Sequence, residues 1–117
     1  MEVFDQEEAT MAKYLLKVSY SADGLKGVMK EGGTNRVKAV ERALAGVGGS
    51  LESFYFAFGP DDVYVIVDVP DHAAAMAMAA TVASSGAIDS YETVVLLSPS
   101  DVDAAMNVVV DYAPPGS

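Results

Sequence analysis

The stretch that decides the fold is residues 48–69, which read GGSLESFYFAFGPDDVYVIVDV. Three phenylalanines recur at every second position in its first half, and four valines do so in its second half. Alternation with a period of two is typical of β-strands, and aromatic and β-branched side chains favour them. Gly59-Pro60-Asp61 supplies the residues of a tight turn. The stretch therefore predicts a β-hairpin with strands at about residues 49–58 and 62–69.

Five further elements are expected around this hairpin. They are a strand over 13–20, a helix over 35–46, a second helix over 72–85, a strand over 88–98 and a short helix over 99–106. Thr34 and Asp71 are suited to cap the two long helices at their N-termini. Residues 21–24 predict a turn, and residues 25–30 predict one or two helical turns. Val108–Val110 is compatible with a continued helix or an edge strand.

The order β–α–β–β–α–β predicts an α+β protein with the ferredoxin-like arrangement. We expect a four-stranded antiparallel sheet with the two long helices on one face, followed by an extra C-terminal helix. We divide the chain into a mobile leader or tag at residues 1–11, one domain at residues 12–107 and a C-terminal extension at residues 108–117.

Composition limits the class of protein. Hydrophobic residues make up 51% of the 117 residues, which suits one globular domain with its own core. There is no cysteine, which excludes disulfides, thiolate catalysis and cysteine-ligated zinc or iron–sulfur sites. No signal-peptide pattern opens the chain, and the longest mainly apolar stretch, residues 73–83, is too short to span a bilayer. We therefore expect a cytoplasmic protein with no membrane partner.

Charge is distributed unevenly along the chain. The net charge of −10 argues against nucleic-acid binding, which requires a cationic surface. All seven Lys and Arg lie between residues 13 and 42, and ten Asp or Glu follow Arg42. Any anionic ligand would therefore have to be held by residues 13–42. The alternative is that these cations belong to a solvated surface.

The predicted sheet has more apolar surface than its helices can cover. In the first strand of the hairpin, Phe54, Phe56 and Phe58 point to one side. The second strand carries apolar residues on both sides, and so does the end of the last strand. A soluble monomer rarely exposes an apolar patch of this size. We therefore expect the open face to pack on a second copy by two-fold symmetry, giving a homodimer or a larger homo-oligomer.

Several segments resemble one protein family. They are Tyr20–Lys26, Arg36, Phe54–Val65 and Val69–Asp71. Together they are similar to the GYD-domain family over about residues 12–98. The family's Gly-x-Tyr-Asp signature is matched at Gly59 and Asp62, with Asp61 in place of its tyrosine. The resemblance implies a dimeric α/β barrel in the ferredoxin-like class, and it implies no established reaction.

A barrel of this kind implies a cavity between sheet and helices in each subunit. The candidate ligand-binding residues are Tyr20, Lys26, Arg36, Tyr55, Asp68 and His72. Lys26 and Arg36 could form an anion clamp, in which the arginine offers a planar fork to a carboxylate. Alternatively, both are surface cations paired with Asp23, Glu31 or Glu41.

Three other groups have two interpretations each. His72 is the only histidine and could act near neutral pH, but a helix start beside Asp71 is also an ordinary surface position. Asp68 belongs either at the rim of the sheet or beside Lys26 or Arg36, because burying it unpaired would be costly. Asp61-Asp62 could hold a hard cation, but adjacent carboxylates are common in turns, so no metal site is assigned.

Function is only partly indicated by these residues. No catalytic triad order, P-loop, dinucleotide-binding motif or zinc-protease motif occurs. We expect a homo-oligomeric protein that binds a small ligand or serves as an assembly module, with no cofactor and with catalytic residues unassigned. The alternative is a cofactor-independent monooxygenase or isomerase acting on a small organic molecule, as in other dimeric barrels.

Overall fold

The computed structural model describes residues 11–117. The expected leader at residues 1–11 therefore lies outside the described residues, except for Met11. Eight elements occur in the described part. They are β1 (Ala12–Tyr20), α1 (Ala22–Glu31), α2 (Gly33–Gly46), β2 (Ser50–Phe56), β3 (Val63–Val69), α3 (His72–Ala83), β4 (Ile88–Leu96) and α4 (Pro99–Met106).

The four strands form one antiparallel sheet in the order β2-β3-β1-β4. The predicted hairpin is present, with Phe54 opposite Val65. The register shifts between Leu51 and Ser53, and a bulge of this kind adds a residue that breaks the alternation. Leu51, opposite Val67, and Phe54 therefore face the same side. The expected α+β fold with a four-stranded antiparallel sheet is confirmed.

The core lies on the face of the sheet that the helices cover. Its buried members are Tyr14, Leu16 and Val18 of β1, Val63, Val65, Val67 and Val69 of β3, Leu44 of α2, and Ala74 and Met78 of α3. Period-two alternation in β1 and β3 produces this layer, because every second side chain points to the same face. The side chains between them point to the open face.

The open face is less apolar than the sequence predicted. Phe54 and Phe56 pair with buried valines of β3 and so face the helices, whereas Phe58 follows β2 and is fully exposed. Three rows of neighbouring residues cross the open face: Asp68–Lys13–Leu96, Ile66–Leu15–Val94 and Tyr64–Lys17–Glu92. Only the middle row is apolar throughout.

Ion pairs occupy the two outer rows. Lys13 Nζ lies 3.0 Å from Asp68 Oδ1 and also contacts Glu52. Lys17 Nζ lies 3.4 Å from Glu92 Oε1 and 3.9 Å from Asp61 Oδ2. Surface ion pairs contribute little stability, so their main consequence is that they limit the apolar part of this face.

α1 is a complete helix rather than the predicted turn and one or two helical turns. Ser21 caps it, because its Oγ accepts a hydrogen bond from Gly24 N. The same residue joins α1 to the loop before β4, since Ser21 N donates to Ala87 O and Ser21 Oγ donates to Gly86 O. These bonds turn a weak helical sequence into a stable element of ten residues.

The start of α2 also differs from the prediction. Gly32, with φ of 90°, precedes the helix at its N-cap position instead of Thr34. Positive φ is readily adopted by glycine, and it lets the chain reverse between α1 and α2 without a linker. The predicted cap at Asp71 is confirmed, because its Oδ1 accepts from Ala74 N.

The C-terminal part lies away from the core. α4 carries a capping box formed by Ser98 and Asp101, and no residue of α4 is buried. Val108–Val110 forms neither a helix nor a strand, and it is exposed. None of the helices in residues 11–117 is long and apolar enough to cross a membrane.

Gly24→Ala should destabilise the protein, because a Cβ atom at this position would lie 1.8 Å from Ala87 O. We expect the free energy of unfolding in urea to fall by about 1–3 kcal/mol, the range found for overpacking. Gly27→Ala on the same helix is the matched control, since its Cβ would meet no atom within 4 Å. The free energy of unfolding of the control should rise by about 0.5–1 kcal/mol, because alanine favours a helix more than glycine does. Equal effects of both substitutions would contradict the close approach.

Candidate ligand-binding cavity

A cavity of about 270 Å³ lies between the helix-covered face of the sheet and helices α2 and α3. The lining residues are Leu16, Val18, Tyr20, Arg36, Ala39, Val40, Ala43, Phe54, Val63, Val65, Met78, Thr81, Val82, Ser85, Ala87, Ile88 and Tyr91. Ala39 and Ala43 lie one helical turn apart on α2. Because their side chains are short, they leave space above the sheet that larger residues would fill.

Arg36 provides the only cation among these lining residues. Its Nε lies 3.1 Å from Glu31 Oε2, a distance typical of an ion pair. The Nε atom is buried, however, and its N–H makes no hydrogen bond of acceptable geometry with any described residue. Because the Glu31 carboxylate is close to this N–H but not aligned with it, the buried donor stays unsatisfied, which costs free energy. Arg36 can therefore offer Nε–H to an acceptor placed in the cavity.

Two tyrosines add hydroxyl groups to the wall. Burial raises the pKa of Tyr91 to about 12. Burial also raises the pKa of Tyr20, an effect that the charge of Arg36 opposes and that Glu31 and Asp62 reinforce. Both phenols are consequently neutral at pH 7, so each can donate a hydrogen bond and accept one.

A second depression, open to the surface, adjoins the cavity. It has a volume of about 320 Å³ and is lined by Asp23, Gly24, Gly27, Val28, Glu31, Arg36, Ser85, Gly86 and Ala87. Arg36, Ser85 and Ala87 line both spaces. We therefore describe the outer depression as the mouth of the cavity. A ligand that enters here passes Arg36 and the carboxylate of Glu31.

The turn between β2 and β3 holds the edge of this site. Asp62 Oδ2 accepts a hydrogen bond from Tyr20 N at 2.8 Å, and Asp62 N donates to Val18 O at 2.9 Å. Asp61 Oδ1 accepts from Ser19 Oγ at 3.2 Å. Both carboxylates thus fasten the turn to β1, next to Tyr20. In residues 11–117 no group of three or more His, Cys, Asp or Glu could hold a metal ion.

The six candidate residues do not meet in one place. Tyr20 and Arg36 line the cavity, whereas Lys26 is exposed on α1. Tyr55 is 70% exposed, and it lies on the open face opposite Tyr64. The structure separates these four residues into three locations.

Asp68 and His72 lie at further positions. Asp68 is on the open face and pairs with Lys13, because the register of β1 and β3 places Lys13 directly opposite it. Of its two interpretations, the pairing with Lys26 or Arg36 is therefore wrong. His72 is exposed, and its Nδ1 forms a hydrogen bond of 2.8 Å with the hydroxyl of Tyr14. Neither residue lines the cavity.

Sequence reasoning missed Tyr91, Thr81 and Ser85 as wall residues. Tyr91 enters the site because β4 pairs with β1 and sets it opposite Val18. The alternation of β4 indicated which residues share a face of the sheet with Tyr91, but it did not indicate which strand would lie beside β4. Thr81, in the last turn of α3, and Ser85, just after the helix, face the cavity only through the placement of the end of α3.

Comparison with known proteins gives one match. The family model of the GYD domain matches residues 14–106. No curated protein and no solved structure matches the chain.

Ionisation of Tyr91 should link stability to alkaline pH. The folded state retains the proton up to about pH 12, whereas an unfolded tyrosine loses it near pH 10.0. The folded state therefore binds more protons between these values, so the free energy of unfolding should fall as pH rises from about 10 to about 12. For Tyr91→Phe, the free energy of unfolding in urea should fall less steeply with pH across this range than it does for the wild type. An unchanged slope would contradict the burial of this phenol.

Proposed function

This chain belongs to the GYD-domain family, and we propose that it binds a small, mainly apolar molecule with one anionic group in the cavity between sheet and helices. The observation that carries the proposal is the buried Nε–H of Arg36, which lies close to Glu31 but makes no aligned hydrogen bond with any described residue. A buried donor without a partner costs about 1–3 kcal/mol. A ligand carboxylate would remove this cost.

The size and chemistry of the wall support a small ligand. A volume of about 270 Å³ lies just below the range of about 300–1,000 Å³ for ligand pockets, so only a small ligand would fit. The wall carries valine, phenylalanine and methionine side chains, which favour an apolar body. Tyr20 and Tyr91 are neutral donors that could orient a polar substituent.

Arginine suits a carboxylate better than a simple point charge would. Its guanidinium can form two parallel hydrogen bonds with both oxygens of such a group. Glu31 occupies one side of Arg36 in the absence of ligand. The ligand's anionic group would therefore compete with Glu31 for the guanidinium.

Self-association is the second part of the proposal. The strand order β2-β3-β1-β4, with helices on one face, supports the ferredoxin-like arrangement. The row Ile66–Leu15–Val94 on the uncovered face supports packing on a second copy, as in a dimeric α/β barrel. Its residues are only partly buried in one copy.

An enzyme of the cofactor-independent kind is the alternative function. Tyr20 and Arg36 could polarise a carbonyl oxygen in the cavity. A proton-transfer step would also need a base, and the described wall contains neither a carboxylate nor an imidazole. This favours binding over catalysis.

Arg36→Gln should weaken binding of an anionic probe and not of its neutral counterpart. Octanoate and octanol have the same apolar chain, so their difference reports on the carboxylate alone. By isothermal titration calorimetry we expect wild-type protein to prefer octanoate, and Arg36→Gln to lose about tenfold or more in octanoate affinity. Affinity for octanol should stay the same.

Two further variants sharpen this measurement. Lys38→Gln removes an exposed cation from the same helix outside the cavity, so octanoate affinity should not change. Glu31→Gln removes the competing carboxylate, so octanoate affinity should rise. Equal binding of octanoate and octanol, unaffected by Arg36→Gln, would show that the anion clamp is wrong.

Leu15→Glu should disrupt self-association through the open face. The new carboxylate would lie between Lys13 and Lys17 on the same strand face, so a single copy should tolerate it. Light scattering at micromolar concentration should show a dimer or larger oligomer for the wild type and a smaller mass for the variant. Ala80→Lys, at an exposed position of α3, is the control and should keep the wild-type mass. A wild-type monomer at this concentration would contradict the proposal.

A further inference from the structure

The C-terminal arm, defined here as residues 98–112, consists of α4 and a following segment without regular secondary structure, and none of its residues is buried in a single copy. Every residue from 97 to 117 is exposed. Val102 and Met106 form an apolar stripe at a spacing of four on α4, with exposures of 43% and 74%, and Val109 is 94% exposed. The capping box at Ser98 nevertheless orders the helix. A locally ordered apolar segment of this kind is suited to contact another surface.

A matching surface lies on α1. Leu25 and Met29, again four residues apart, are 48% and 77% exposed, and the basic residues Lys26 and Lys30 run beside them. Neither lysine forms an ion pair within residues 11–117. We call these four residues the α1 face.

The arm and the α1 face complement each other in charge and spacing. The arm carries Asp101, Asp103 and Asp111 and no cation, whereas the α1 face carries two cations. Each surface presents an apolar pair one helical turn apart with charges beside it, and the charges are opposite in sign. We propose that the C-terminal arm of one copy docks on the α1 face of a second copy of this chain.

The position of the arm favours docking on the α1 face of a second copy over docking on the α1 face of its own chain. The arm leaves the sheet at the end of β4 near Leu96, beside Lys13, whereas α1 is attached to Ala87 before β4 begins. β4 has nine residues, so these points are separated by about 27–30 Å at the usual rise per residue. The arm also lies exposed rather than on its own α1.

The contact goes beyond the proposed ligand binding and uses neither the cavity nor the open face. Each copy has one arm and one α1 face, so reciprocal docking closes a two-fold assembly. Docking covers the helix whose Gly24 and Val28 line the mouth of the cavity.

Cross-linking of introduced cysteines tests the contact, since the natural chain has no cysteine. Full-length Met29→Cys protein is mixed with full-length Met106→Cys protein and treated with a short bis-maleimide. We expect a cross-linked heterodimer in several-fold higher yield than from Lys38→Cys mixed with Met106→Cys. Lys38 is an exposed cation on α2, so it controls for random collision. Equal yields would overturn the proposal.

Charge reversal supplies the second measurement. Lys26→Glu/Lys30→Glu in the Met29→Cys chain should lower the yield to the control level. Asp103→Lys/Asp111→Lys in the Met106→Cys chain should do the same, and Asp101 is left intact because it caps α4. Mixing the two reversed chains should restore the cross-link, because the charges are again opposite. Failure to restore it would overturn the proposal, provided that circular dichroism shows both chains folded.

Two other outcomes would also overturn it. One is a chain with both Met29→Cys and Met106→Cys that forms only an internally linked monomer, which would place the arm on its own helix. In the other, no cross-link forms between copies, and only phosphatidylserine vesicles protect the thiol of Met29→Cys from labelling. That result would make the α1 face a membrane contact.

Discussion

The pairing of β1 with β3 is the constraint on which the rest of the structure depends. Opposite pairs such as Leu16–Val65 place the buried side chains of β1 and the valines of β3 in one layer, and they leave Lys13, Leu15 and Lys17 on the other face. A shift by one residue would exchange the two faces completely. The helices then have one apolar surface to cover, and both the core and the cavity lie on that side. Charged residues in the outer rows of the open face specify the same register.

The layer beneath the helices is packed closely at one end and open at the other. Leu44 is fully buried against the end near Val69, where only a space of about 10 Å³ remains. At the other end the short side chains of Ala39 and Ala43 leave about 270 Å³. This space is partly open to solvent, and apolar side chains make up most of its wall. On the proposed function, the ligand occupies this space.

Much of the fold could be predicted from the sequence, because local patterns determine it. The alternating valines of β3 and the cap at Asp71 needed no distant contact to be recognised. α1 was underestimated because its stability depends on bonds from Ser21 to a loop more than sixty residues away in the chain. In the site, Arg36 and Tyr20 were found by residue type and resemblance. Tyr91 was missed because only strand pairing reveals its neighbours.

Charge determines how the cavity can select a ligand. The protein has a net charge of −10, and Asp23 and Glu31 line the mouth, so an anion approaching from solvent meets repulsion before it reaches Arg36. Most of the binding free energy must then come from burying the apolar part of the ligand. Arg36 adds selectivity, because a neutral analogue would leave its buried donor unsatisfied. On the proposed function, the arrangement therefore disfavours small hydrophilic anions such as phosphate, and it favours molecules whose apolar body is large enough to overcome the repulsion at the mouth.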